Sequence, residues 1–405
     1  MTRTLLIISG GIEAVDAIKR ARDMGLHVVV SDIAADAPGF AHAHDRIIAD
    51  VYGAEETLQA VERYVREQRP IDGVLCVAAD APVTAARIAG KLKLPGISVA
   101  TAKLACDKLA MKRRFKECGV PVPWFAAVAS AAELAAIVAE RGADLVIKPV
   151  DSRGSRGVQR LSRSPDIAGA FALAQKHSPT GRVMVEAYLD GPQISTESIV
   201  TRGRCHTPGF ADRNYELLEV HAPFFTENGG DLPSHLPQDI QQKVKDVIAG
   251  AATVLGVTDG TVKGDVVVHR GQPYVIELAA RLSGGFFCTL EIPLNTGVDF
   301  IGCAIRVALG ETIAAAELEP SRQQPVIQRY AFPKAGRVIA IRGADTAKNL
   351  PGIAGIIVTA RPGDIIPPAG DKRPSAAMVL ATGTTHAAAL AAAHAGVAAI
   401  EIETQ

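Results

Sequence analysis

Two acidic residues in a hairpin-like stretch give the first hint of chemistry in this chain. Lys263-Gly264-Asp265-Val266-Val267-Val268-His269 and Gln272-Pro273-Tyr274-Val275-Ile276-Glu277 are strand-like runs on either side of Arg270-Gly271, the pattern of a β-hairpin. If the hairpin is symmetric about Gly271, Asp265 and Glu277 face each other, with Cβ atoms roughly 4.5–5.5 Å apart. Like charges placed this way are destabilising unless something positive stands between them, and carboxylate oxygens suit a hard divalent cation. Two acids on a solvated hairpin would leave the same trace. Arg281, four residues after Glu277, and Gly284-Gly285 beyond it favour the chemical reading. A guanidinium can hold phosphate oxygens bidentately, and adjacent glycines let a ligand approach the backbone closely.

Two lysines fit the same picture. Lys148 ends the apolar run Leu145-Val146-Ile147, and Asp151-Ser152-Arg153-Gly154-Ser155-Arg156-Gly157-Val158 follows. A flexible Gly/Ser loop can cover phosphates with its backbone N–H groups, although the P-loop pattern is absent. Lys108 lies in a helix-like stretch, where solvation is the ordinary reading of a lone lysine. Ser152 and Ser155 suit loop solvation and phosphate contact equally, and Arg153 and Arg156 are either solvated charges or substrate or phosphate contacts. His206, His221 and His235 fall in 206–235, a Gly/Pro/Asn/His-rich stretch with little periodicity. Such length without a pattern suggests a functional loop or lid.

The elements that must position these residues are visible in outline. Leu5–Ile8, His27–Asp32 and Gly73–Val77 are apolar strand patterns separated by helical ones in the first hundred residues, which argues a parallel sheet covered on both faces. Ser9-Gly10-Gly11 after the first strand is a tight turn or an incomplete phosphate-binding fingerprint. Residues 238–255 form a helix. After a composition break near 317–325, Gln328–Ala340, Ala376–Thr382 and Ala398–Ile402 are expected strands and Thr384–Ala395 an expected helix.

The chain has 405 residues, enough for about two to four domains. Lys+Arg and Asp+Glu are both 43, so the formal net charge is zero. That leaves no global field to attract nucleic acid or an anionic membrane. The six cysteines form no CxxC pair, so neither a zinc-finger nor a disulfide framework is expected. The Ala-rich stretches carry charges and are expected as soluble elements rather than membrane spans. A reducing cytoplasm is the expected location.

The order Lys108, Lys148 with its loop, Val183-Met184-Val185-Glu186-Ala187-Tyr188-Leu189, the Asp265/Glu277 hairpin and Arg281 resembles the ATP-grasp superfamily, in its carboxylate–amine ligase branch, which includes the L-amino-acid (dipeptide) ligases. The resemblance implies an α/β, ATP-grasp fold. An N-terminal Rossmann-like parallel domain would span 1–100, a two-lobed ATP-grasp domain 101–318, and a small C-terminal α+β domain 319–405. It implies ATP and Mg2+ as cofactors, with Mn2+ able to substitute. Lys108 and Lys148 would contact the ATP phosphates, Lys148 also lying near the adenine, and Ser152, Gly154 and Gly157 would belong to the loop over the phosphates. Glu186, Ala187 and Leu189 would form the hinge that reads the adenine edge, and Gln193 would meet a ribose hydroxyl. Asp265 and Glu277 would be the metal ligands, and Arg281 and Lys148 the catalytic residues. Branch members often show Gly-Pro-Glu and Glu-x-Asn-x-Arg where this chain has Gly191-Pro192-Gln193 and Glu277-Leu278-Ala279-Ala280-Arg281. Ala279 supplies no metal or phosphate contact, and Glu197 is a compensating acid.

The implied reaction joins a small carboxylate, an amino acid, to an amine through an acyl phosphate, releasing ADP and phosphate. A bicarbonate-activating synthetase of the same fold and a non-catalytic nucleotide-binding regulator are the alternatives. Small-molecule substrates are the expected partners, with no nucleic acid and no membrane, and the resemblance suggests a homodimer.

Overall fold

The computed structural model describes residues 2–163, 166–367 and 375–405. β1 (Thr4–Ile8), β2 (His27–Asp32), β3 (Asp45–Ile48) and β4 (Gly73–Cys76) form a parallel sheet in the order β3-β2-β1-β4. Every residue of β1 is buried, as expected for a strand covered on both faces. The cover includes α1 (Val15–Asp23), α2 (Ala54–Glu67) and α3 (Pro82–Leu92). α1 buries Val15, Ala17, Ile18 and Ala21, one stripe at helical spacing. The Ser9-Gly10-Gly11 turn is closed by protein groups. Gly10 N donates to Asp32 Oδ2 at 2.8 Å, and Gly39 N donates to Gly10 O at 2.7 Å. This is the tight-turn reading of that stretch.

α4 (Val99–Cys106) and α5 (Lys108–Glu117) lead into a small antiparallel sheet. It holds β5 (Phe125–Val128), β6 (Leu145–Pro149), β7 (Gln159–Arg160) and β8 (Val183–Ala187) in the order β5-β8-β6-β7. α6 (Ala131–Arg141) and α7 (Ile167–Lys176) pack with it around a core that includes Leu134, Ile147, Phe171 and Val185.

An eight-stranded antiparallel sheet faces this lobe. It contains β9 (Gln193–Thr201), β10 (Arg204–Arg213), β11 (Gly230–Leu232), β12 (Gly260–His269), β13 (Gln272–Ala279), β14 (Val326–Ala331), β16 (Ile353–Val358) and β18 (Ala377–Thr382). β15 (Gly336–Arg342), β17 (Ile365–Ile366) and β19 (Glu401–Thr404) make a separate three-stranded sheet. α8 (Gln238–Leu255) lays Val244, Ile248, Ala251 and Leu255 against a core that includes Val266, Val275 and Leu278. α9 (Ile292–Thr296), α10 (Phe300–Ala308), α11 (Ala344–Lys348) and α12 (His386–Ala398) complete the helices.

Several expectations shift. Residues 206–213 lie on β10, so the irregular segment is 214–229. The strand expected over Gln328–Ala340 is two strands, β14 and β15, separated by Phe332-Pro333-Lys334-Ala335, where Pro333 has no N–H for a ladder. α12 starts after Thr385, whose hydroxyl accepts from Ala388 N, a helix N-cap. The helix runs through Ala398, which pushes the last strand to Glu401–Thr404. β14, β18 and β16 continue the sheet begun by β9–β13. One core holds Leu5, Val30, Phe286, Phe300, Val326 and Met378 together, so the N-terminal, central and C-terminal segments share apolar burial. Among the described residues, no helix is long and apolar enough to cross a membrane.

Candidate functional site

Asp265 and Glu277 are register partners across β12 and β13. Symmetry about Gly271 holds from Lys263↔Ala279 to Asp265↔Glu277 and then slips, because Val266 pairs with Val275. Ile276 is the extra residue, a β-bulge. The turn itself is Arg270-Gly271, both at positive φ (50° and 75°), as a type I′ hairpin turn requires. Both carboxylates line one cavity of about 230 Å3 between the β6/β8 lobe and the hairpin.

Neither carboxylate is bare. Lys263 lies two residues from Asp265 on the same strand face, and its ammonium bonds the Asp265 carboxylate. Arg213, at the end of β10, donates to Asp265 Oδ1 at 2.6 Å and also pairs with Glu227. Burial by itself would raise the Asp265 pKa; Lys263 and Arg213 more than reverse this and hold it well below the usual carboxylate range. Glu277 Oε1 stands 3.3 Å from Lys108 Nζ, which also donates to Ser152 O at 2.8 Å. Lys108 opens α5 directly after its N-cap, Asp107, so the helix start aims it at the hairpin.

The second lysine group sits across the cleft. Lys148 on β6 and Glu186 on β8 are bonded ammonium to carboxylate. Lys112, one turn beyond Lys108 and fully buried, places Nζ 2.9 Å from Glu186 Oε2 and 3.3 Å from Val275 O. Burial pushes the Lys112 ammonium down to about 8 against the attraction of Glu186. Glu186 is raised by burial and lowered more by its two lysines, so it stays below the usual range. Glu186 lines the cavity with its carboxylate engaged by Lys112 and Lys148, which leaves its backbone groups as the ones available to a ligand at the hinge. Ala187, Tyr188, Leu189 and Gln193 also line the cavity, beside Val146, Ile194, Val267 and Phe225.

Arg281 leaves the end of β13 and meets Asp80 at 2.6–2.7 Å. Asp80 follows β4, whose end is docked on this segment by the bridge Val77↔Leu282. Ser152, Arg153, Gly154, Ser155 and Arg156 line the cavity, with Arg153 stacked 3.7 Å over Tyr52. Gly157 belongs to the same loop but is not among the residues that line the cavity. It is buried at φ 73°, and a Cβ there would come within 3.1 Å of His177 and Pro149. Its role is to let the loop turn tightly against α7.

A second cavity, of about 400 Å3, opens off the first and shares Asp80, Arg213, Lys263 and Arg281 with it. Glu13, Glu227 and Glu291 line it together with Phe286, Phe287, Tyr330 and Phe332. Burial pushes the Glu291 carboxyl up to about 8. Glu197 lies fully buried beneath this region and accepts from Ser283 N at 3.0 Å. Its Oε2 has no hydrogen-bond partner among the described residues, and burial pushes its carboxyl up to about 7. His206, His221 and His235 are not among the residues that line either cavity.

Sequence reasoning named neither Lys112, Arg213, Lys263, Asp80 nor Glu291 as site residues. Period-two spacing from Asp265 marks Lys263, and helical spacing from Lys108 marks Lys112. Asp80 sits just past the C-terminal end of a parallel strand, where ligands of open α/β sheets bind. No local signal marks Arg213 or Glu291.

The comparisons agree with this architecture from end to end. An ATP-grasp domain model matches residues 105–285, an ATP-grasp N-terminal domain model 18–96, and the model for L-amino acid ligase C-terminal domain 2 residues 329–405. The chain belongs to the ATP-grasp superfamily. Within it, the chain is a carbon–nitrogen ligase of the carboxylate–amine type. The D-alanine–D-alanine ligase of Azoarcus sp. is 27% identical over 236 residues, covering 55% of this chain and 74% of that protein. An uncharacterized protein of Sinorhizobium fredii, y4rH, is 27% identical over 382 residues, covering 92% and 77%. The L-amino acid ligase of Bacillus licheniformis superposes with a TM-score of 0.83 at 21% identity, covering 100% of this chain and 99% of its own. Biotin carboxylase from Campylobacter jejuni shares the fold at a TM-score of 0.73 and 19% identity.

The ATP-grasp cleft of this chain suits a polyanion. Seven cationic side chains line the first cavity against four carboxylates. Its two register-paired acids offer only oxygen donors, the choice of a hard cation such as Mg2+.

Proposed function

We propose that this ATP-grasp ligase joins two amino acids, or an amino acid and another amine, with cleavage of ATP to ADP and phosphate. The observation that carries this reading is the pair of confluent cavities. The first is cationic with an apolar wall of Val146, Ile194 and Val267, which fits a nucleotide triphosphate. The second has cations only at the shared mouth, acids further along its wall, and aromatic sides. A zwitterion fits that polarity, with its carboxylate toward Arg213, Lys263 and Arg281 and its ammonium toward Glu13, Glu227 or Glu291.

In the reaction, a substrate carboxylate oxygen attacks the γ-phosphorus in line and the bond to the β-phosphate oxygen breaks, giving an acyl phosphate and ADP. The amine of the second substrate then attacks the acyl carbon, phosphate leaves, and the nitrogen gives up a proton. Lys108 and Lys148 hold phosphate oxygens, and Arg281 neutralises charge on the group in transfer. Asp80 keeps the Arg281 fork oriented. Ser152 and Gly154 lie over the phosphates, while Ala187, Leu189 and Gln193 face the nucleoside. Magnesium held by Asp265 and Glu277, with manganese able to replace it, would supply further charge neutralisation. Confinement in two joined cavities holds acyl group and amine together, which converts a bimolecular step to a nearly unimolecular one.

The test is an ADP-release screen over pairs of amino acids, with bicarbonate added and withheld, and mass spectrometry of the products. ADP release that needs two amino acids and yields their condensation product is expected, with Glu277→Gln inactive but folded. Release that needs bicarbonate would move the assignment to a carboxylating synthetase. ATP binding without release across the screen would leave a nucleotide-binding regulator.

A further inference from the structure

A group of metal-ligating side chains lies outside both cavities, where the strand that ends the irregular segment meets the C-terminal region. Asp231 on β11, His235 in the connection to α8, and His386 in the first turn of α12 each offer one ligand atom, and the three atoms lie within 4.8 Å of one another. We propose that Asp231, His235 and His386 bind a divalent transition-metal ion of the zinc class.

The donor set fits that chemistry. Two imidazole nitrogens and one carboxylate oxygen suit zinc, whereas Mg2+ and Ca2+ prefer oxygen alone. Zinc ligands at ~2.0–2.2 Å in a tetrahedron stand roughly 3.4 Å from each other. Asp231 Oδ2 and His386 Nε2 are already 2.9 Å apart. The His235 and His386 rings lie 4.3 Å apart, edge to face. A shift of about 1 Å closes the triad, and His235 is exposed, so its ring is free to make it. That exposure also leaves the fourth position to water.

Each ligand is held from behind, as outer-shell partners hold metal ligands elsewhere. Asp231 is fixed by pairing with Ile327 on β14 and by Arg329 Nη1, 2.6 Å from its Oδ1, which leaves Oδ2 for the ion. The loop that carries His235 is tied to Asp212, which accepts His235 N at 2.7 Å and the Ser234 hydroxyl. His386 is set by the N-cap of α12. An Asp231–His386 ion pair would account for two of the three residues. It does not account for His235, whose imidazole is directed at His386 and makes no hydrogen bond to another described residue. The ion would pin the lead-in to α8 against α12, clamping the end of the 214–229 segment to the C-terminal region.

The test uses full-length protein freed of metal with EDTA, then dialysed against Zn2+ with excess Mg2+ to fill the oxygen-only sites. Metal is counted by mass spectrometry and thermal unfolding is followed in parallel. Wild-type protein is expected to retain one more zinc per chain than His235→Ala, and His386→Gln to lose the same equivalent. Zinc is expected to raise the Tm of wild type and leave that of His235→Ala where it was. His235→Ala removes an exposed ring, and its circular dichroism spectrum should match wild type. Equal zinc content in wild type and His235→Ala, or equal Tm responses to zinc, overturns the proposal.

Discussion

Glu197→Gln should make the protein more stable in mild alkali and leave it unchanged in acid. Glu197 sits mid-strand on β9 between Lys263 on β12 and Gly209 on β10, with no exposed surface. A Cβ on Gly209 would stand 2.7 Å from that of Glu197, so the strand opposite has given up a side chain to make room for it. Burial raises the carboxyl from its ordinary value of 4.5 to about 7, and Ser283, Arg281 and Lys263 recover only part of the cost. Between those two values the unfolded chain has released the proton and the folded chain keeps it, so stability falls as pH rises. At about 1.4 kcal/mol per pKa unit, a shift of that size is worth about 3 kcal/mol by pH 8. The amide mimics the protonated acid and titrates in neither state. Urea unfolding of both proteins from about pH 4 to about pH 8 should show equal stabilities at the acid end. Glu197→Gln should then draw ahead by about 3 kcal/mol, most of it gained between the unfolded and folded pKa values. A gap that stays flat with pH, or a wild type that is the more stable at pH 8, would mean that Arg281 and Lys263 keep Glu197 ionised, and the burial argument would fail.

Other consequences follow from the charge arrangement. Arg281→Met is expected to cut amino-acid-dependent ADP release by about 10²–10³ while ATP binding, read by calorimetry, persists. Lys112→Met removes one of two cations from the buried Glu186 carboxylate and should cost roughly 3 kcal/mol in urea unfolding, the lower end for a broken buried pair, because Lys148 remains; no loss would show that the pair contributes nothing net. Asp265→Asn leaves Arg213 and Lys263 facing no carboxylate at that position, and should raise the Mg2+ concentration needed for half-maximal ADP release more than it lowers the rate at saturating Mg2+.

The sequence carried the hairpin well because its signals are local. Turn chemistry at Arg270-Gly271 and period-two alternation set the hairpin, and the bulge at Ile276, on the turn side of the pair, brings Glu277 opposite Asp265. Without that bulge Glu277 would pair with Gly264 and lie on the sheet face opposite Asp265. α8 was legible to the residue because an apolar stripe runs its length and Gly256 ends it in the left-handed conformation. The packing of Gly157 against α7 was not legible, because a loop glycine reads the same whether its backbone faces a ligand or packs against a helix. The extension of the central sheet through β14, β18 and β16 was invisible, since strand neighbours β11 and β14 are separated by more than ninety residues and no local pattern encodes such a pairing.

The deeper gap between sequence and site concerns charge. In sequence, Asp265 and Glu277 are two anions that need a cation, and a divalent metal is the expected one. In the folded chain two of the cations come from distant segments, Arg213 from β10 and Lys108 from α5, and the third, Lys263, from two residues along the same strand. The carboxylates therefore meet no net repulsion without a metal, and the hairpin can fold before any ligand arrives. The same lysines and arginines are the groups that a triphosphate would attract. Were phosphate oxygens to draw Lys108 or Lys263 away, Glu277 or Asp265 would be left with a charge to satisfy, and a divalent cation would be its best partner. Nucleotide and metal would then favour each other's binding through shared protein charges, a coupling that belongs to the packed site and to none of its residues singly.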